Sequence, residues 1–148
     1  MHRLLPISLL TFLLGCGGSD NPSLAERFKL QASAEAWENR MPIVIFPNEV
    51  LPCTSLIVSF SVTSSEDSLP PDFSAESVSL GKNSTAIWKA ETSKSETGLS
   101  DAKTLKGIAR GCRTDAFAEG DELNAIIRVK TRDDVADVNA TVKLYYAF

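Results

Sequence analysis

Apolar and polar residues change places at every step through much of this chain. A period of two is the mark of a β-strand with one buried face. In 55–62, Leu56, Val58, Phe60 and Val62 share a face, with Ser59 and Ser61 on the other. In 122–130, Leu123, Ala125, Ile127 and Val129 alternate with Asn124, Arg128 and Lys130. In 138–148, Val142, Leu144, Tyr146 and Phe148 stand against Thr141, Lys143 and Tyr145. Val78 and Leu80 line up in 75–81, as do Ala86 and Trp88 in 84–90, and Gly81-Lys82-Asn83-Ser84 between them suits a hairpin turn. Arg132-Asp133-Asp134 is a second turn signal. Residues 104–110 give a weaker strand because of Gly107, and Ile43–Phe46, fenced by Pro42 and Pro47, reads as an extended edge segment.

Residues 27–37 carry two signals. Phe28, Leu30, Ala32, Ala34 and Ala36 alternate with Lys29, Gln31, Ser33 and Glu35, which favours a strand. Ser23 and Glu26 form a capping box before an Ala-rich run, which favours a helix. The uninterrupted alternation weighs towards the strand, and both remain open. With no sustained helical pattern, the expected fold is all-β: an antiparallel two-sheet sandwich of about seven strands with Greek-key connections. In strand count and size it resembles immunoglobulin-like domains. Trp88 lies between Cys53 and Cys112, but on the fourth strand rather than the third. The polar stretches 63–74 and 91–103 read as loops, where binding residues commonly sit.

The first sixteen residues, MHRLLPISLLTFLLGC, have another character. Arg3 gives a positive start, and Leu4–Leu14 form an apolar run too short to span a bilayer but of signal-peptide length. Leu13-Leu14-Gly15-Cys16 resembles the lipobox of bacterial lipoproteins. That resemblance implies removal of residues 1–15, a diacylglyceryl thioether on Cys16 and often an acylated (palmitate-type) amino group. It also implies a mature chain held in the cell envelope by membrane lipid. Gly17 in place of Asp at the second mature position points to the outer membrane, facing the periplasm or the cell surface. Residues 16–24 are then the lipidated Cys and a flexible tether, and 25–148 the sandwich domain.

Export to an oxidising compartment leaves Cys53 and Cys112 to pair as a disulfide. Strands two and five of such a sandwich are antiparallel neighbours, which brings the start of one beside the end of the other. Closing that loop stabilises the fold by about 4 kcal/mol on the chain-entropy model.

The same N-terminus settles much of the chemistry. The lone histidine, His2, lies in the signal, so Ser–His and Cys–His nucleophile pairs and His-based zinc sites are not expected. There is no Gly-rich phosphate loop, and neither Asp133-Asp134 with Asp137 nor Glu119 with Asp121 and Glu122 has the spacing of a calcium-binding hand. After residue 15, fourteen basic residues face nineteen acidic ones, the wrong balance for nucleic acid. No catalytic residue, metal or cofactor is expected, and the chain is not expected to be an enzyme. The leading expectation is a small binding module for an envelope protein or glycan. Its alternatives are an assembly accessory of an envelope complex and a hydrolase inhibitor. Trp37 is the candidate contact residue. On a strand it points away from Phe28 and Leu30, either as an exposed aromatic or packed on a second layer at a strand end.

Overall fold

The computed structural model describes residues 21–41, 47 and 53–148. The signal segment with Cys16 and the edge segment Ile43–Phe46 lie outside the described residues. Both N-terminal signals prove real, one after the other. Ser23 and Glu26 cap a single helical turn, α1 (Leu24–Arg27), and the alternating stretch that follows is β1 (Leu30–Asn39). Lys29, at φ 44°, turns the chain from one to the other.

The remaining strands are β2 (Ser55–Ser64), β3 (Ser74–Lys82), β4 (Thr85–Glu91), β5 (Gly98–Asp101), β6 (Thr104–Cys112), β7 (Glu122–Lys130) and β8 (Val135–Ala147). Their order is β4-β3-β7-β8-β1-β2-β6-β5. The chain is all-β, as expected, but two expected details need correction. There are eight described strands rather than about seven, because β5 forms inside the polar stretch 91–103. They also make one curled, mixed sheet rather than two separate antiparallel ones. The reason is the length of β8. Its first nine residues pair antiparallel with β7, and its last four pair parallel with β1.

The sheet curls until its ends meet. A bridge joins Thr92, just past β4, to Ala109 of β6, and β3 touches β5 and β6. One core fills the curl: Leu56, Val58, Phe60 and Val62 from β2, Val78 and Leu80 from β3, and the inward residues of β7 and β8. Burial of each such side chain contributes about 1.5–3 kcal/mol.

β2 and β6 are antiparallel neighbours, with Ser55 opposite Cys112, and a disulfide joins Cys53 to Cys112 at that end. β6 looked weak because its glycines carry no apolar side chain, yet neighbours fill their places. A Cβ on Gly107 would lie 2.4 Å from Phe60 Cζ, and one on Gly111 would lie 3.0 Å from Trp88 Cζ2. The Trp88 indole donates to the Cys112 carbonyl at 2.8 Å, so it roofs the disulfide end from β4.

The β3–β4 hairpin turns on Asn83 (φ 50°) and Ser84 (φ 68°), the two positive angles of a type I′ turn. Asn tolerates this region, whereas Ser does so at a cost that Gly would avoid. The register slips between Leu80 and Gly81, where a Cβ would lie 2.0 Å from the Thr85 carbonyl oxygen. In urea denaturation, Ser84→Gly is expected to add about 0.5–1 kcal/mol of stability. Gly81→Ala, which forces the backbone apart, is expected to remove about 1–3 kcal/mol.

Candidate functional site

Alternation sends every second residue of β1, β2, β6 and β8 away from the core, and the register decides which of them meet. One row across the outer face runs Tyr145–Trp37–Ile57–Arg110. The next runs Glu35–Ser59–Ile108, and the third Ser33–Ser61–Lys106. Short hydroxyl side chains between larger neighbours leave a groove of about 480 Å³. Ser33, Ser59 and Ser61 lie along it, with Glu35 on one side and Lys106 and Ile108 on the other.

Trp37 flanks the groove on the outer face, half-buried between Ile57 and the more open Tyr145, which is 55% exposed. The structure therefore puts Trp37 on the side of β1 that alternation gave it.

The far rim is Glu96, in the segment between β4 and β5. Its carboxylate accepts both guanidinium arms of Arg110, and that pairing holds its pKa below the usual carboxylate range. The segment does not protrude. Ser93 N donates to Ile108 O at 2.8 Å, and β5 pairs with β6 beyond it. Among the described residues, Glu35 and Lys106 have no ion-pair partner. The hydroxyls of Ser33, Ser59 and Ser61 make no hydrogen bond among those residues, in contrast to Ser64, Ser65 and Ser100 elsewhere.

A second polar constellation went unrecognised in the sequence. Glu38 follows Ala32, Ala34 and Ala36 in the inward phase of β1 and is only 2% exposed. Its carboxylate lies 2.6 Å from Arg40 Nε and 3.3 Å from Arg113 Nη1. The Arg40 guanidinium lies over the Tyr146 ring, 4.2 Å from its centroid. One buried charge thus ties the ends of β1 and β8 to the residue following β6. The signal was there to read: an acidic residue in step with an apolar face.

The acidic turns are occupied by cations. Asp137 takes a two-armed bond from Arg128 at 2.8 and 2.9 Å, Asp134 meets Arg27 at 2.8 Å, and Asp121 meets Lys82 at 2.6 Å. Among the described residues, no group of three or more His, Cys, Asp or Glu is placed to hold a metal ion. None of the described helices is long and apolar enough to cross a membrane. No protein-family model matches the chain, and no curated protein or solved structure matches it.

Glu38 is the buried member and both guanidiniums reach water, so removing its carboxylate loses two charge-assisted contacts without stranding a fully buried charge, and Glu38→Ala is expected to cost about 1–3 kcal/mol in chemical denaturation. The exposed pairs contribute to the acid limit. Because Arg110 and Arg128 lower the folded pKa values of Glu96 and Asp137, their contribution is complete above the ordinary carboxylate pKa. It is lost as the pH falls through the lowered folded values. Thermal melts are expected to be level near neutrality and to drop below about pH 4. Arg110→Gln with Arg128→Gln is expected to flatten that slope.

Proposed function

We propose that this chain is a lipid-anchored lipoprotein of the cell envelope whose domain binds an envelope partner through the outer face of β8, β1, β2 and β6. The anchor rests on the lipobox Leu13-Leu14-Gly15-Cys16, with acylated Cys16 in the outer membrane and the domain facing the periplasm or the cell surface. The recognition face rests on one observation: a groove of solvent-facing hydroxyls and charges without partners among the described residues, beside Trp37 and Tyr145.

The strand order supports an immunoglobulin-like arrangement whose two halves are joined through β8 and β1 into one curled sheet. Divided between β8 and β1, the strand order falls into β1-β2-β6-β5 and β4-β3-β7-β8. These match the ABED and C′CFG sheets of that architecture in order and pairing. The disulfide departs from the pattern. It joins β2 to β6 at one end of the first half instead of crossing between the sheets.

Geometry favours binding over cleavage. The groove does hold two carboxylates, Glu35 and Glu96. Glu35 lies on β1 and Glu96 on the far rim beyond β6, where both of its oxygens are taken by Arg110. Glu96 is also kept ionised by Arg110, which unfits it as a proton donor. An inhibitory loop is disfavoured because the 91–103 segment is bound along β6.

The tether leaves the domain at α1, and β1 carries Trp37 about 23 Å from its start, so the aromatic row stands off the lipid surface. The full-length protein is expected to sediment with membranes carrying acyl mass on Cys16, and Cys16→Ser to appear in the soluble fraction. A photo-cross-linker at position 145 is expected to capture an envelope component that the same probe at Asn139, on the outer face of the other half, does not. A Cys16→Ser protein still in the membrane, or identical capture from both positions, would refute the reading.

A further inference from the structure

We propose that the groove takes a glycan bearing a carboxylate, an assignment that rests on the outer face being the recognition face. The floor is the first reason. In the floor of the groove β1 is paired with β2 and β2 with β6, so an added peptide strand finds no free backbone there; the open stretch Leu30–Glu35 of β1 lies on the side away from β2. What the floor offers instead is side chains, and in the groove these are three hydroxyls without partners. A hydroxyl both donates and accepts, so a row of them matches a ligand that is itself a row of hydroxyls.

The apolar content is the second reason. The lining holds apolar surface from Ala34, Phe60, Gly107 and Ile108, but Phe60 belongs to the core and Ile108 is its one large aliphatic side chain on the outer face, so the open groove lacks the deep anchor a protein partner would need. Trp37, two residues along β1 from Glu35 on the same face, offers an aromatic plate at the groove's end for the apolar side of a sugar ring.

Charge chooses among glycans. Glu35 on β1 and Lys106 on β6 sit two strands and two residues apart, roughly 12 Å between backbones, which is the scale of a disaccharide. The Glu35 carboxylate accepts hydrogen bonds from neighbouring sugar hydroxyls. The Lys106 ammonium, the one unpaired cation lining the groove, pairs with a carboxylate on the next ring. Arg110 adds no second anion site, because Glu96 already neutralises it. The acidic balance of the chain further opposes a polyanion with more than one charge per sugar. The ligand is therefore an oligosaccharide with no more than one carboxylate per ring, of the uronic type.

Calorimetry on the full-length chain in a detergent without a sugar headgroup tests this with tetragalacturonate against neutral cellotetraose. Tetragalacturonate is expected to bind with a submillimolar Kd, at least fivefold tighter than cellotetraose, and to move the amide resonances of Ser59, Ser61 and Lys106. Lys106→Gln, at an exposed position, is expected to abolish the preference for the acidic sugar. Ser59→Val, which fills the floor, is expected to weaken both at least tenfold. Absence of binding to tetragalacturonate, resonance changes elsewhere, or an unchanged preference in Lys106→Gln would overturn the glycan assignment. If binding is absent while the probe at position 145 still captures a partner specifically, the recognition face stands and only its ligand is wrong. If both are absent, the recognition face falls too.

Discussion

The sheet depends on one strand serving two neighbours in opposite senses. β8 runs antiparallel to β7 and then, without losing its alternation, parallel to β1. Val138, Ala140, Val142 and Leu144 all face inward, so the core does not notice the change of partner. At the changeover Leu144 is held by the turn before β7: its N–H donates to Asp121 O, and its carbonyl accepts from Gly120 N. Parallel strands normally require a long crossover between them. Here the two are the first and last of the described strands, and the chain between them serves as the crossover. Without that short parallel pair, β1, β2, β6 and β5 would meet the other half only through side chains and the Thr92–Ala109 bridge.

That constraint marks the limit of what the sequence disclosed. Strict alternation located β2, β7 and β8, because each has one face on the core and one in water, and a period of two records just that. It carries no direction, so a parallel neighbour for β8 left no trace. β5 left none either. All four of its residues are exposed, and it is a strand only because β6 offers a free edge. β6 was faint for the opposite reason, since the groups that fill its core positions belong to Phe60 and Trp88 on other strands. The cysteine pair was legible because a neighbour relation between the second and fifth expected strands brings Cys53 and Cys112 together. The outward side of Trp37 was legible as well. The meeting of Glu35 with Ser59, or of Ser61 with Lys106, was not, because it requires the register of three strands at once.

The polar groups of β1 show how differently its two faces are governed. On the inner face, a carboxylate removed from water must be matched, and Glu38 is matched by two guanidiniums with Tyr146 beneath one of them. On the outer face water satisfies every polar atom, so folding makes no demand there for partners, nor for any particular side chain.

Because folding makes no such demand, the composition of the groove carries information. Ser33, Ser59 and Ser61 occupy central positions of paired strands, where Val, Ile or Thr would fit the pleat better and add cross-strand packing. Ile57 and Ile108 show that the same face accepts such residues beside the groove. Serine at three adjoining positions therefore forgoes available stability in the patch flanked by Trp37, Glu35 and Lys106, the groups to which the proposed binding assigns stacking, acceptance and charge. Local choices that run against the preference of their own element, gathered in one place and ringed by unpaired groups, are what a binding surface leaves in a fold otherwise consistent with itself.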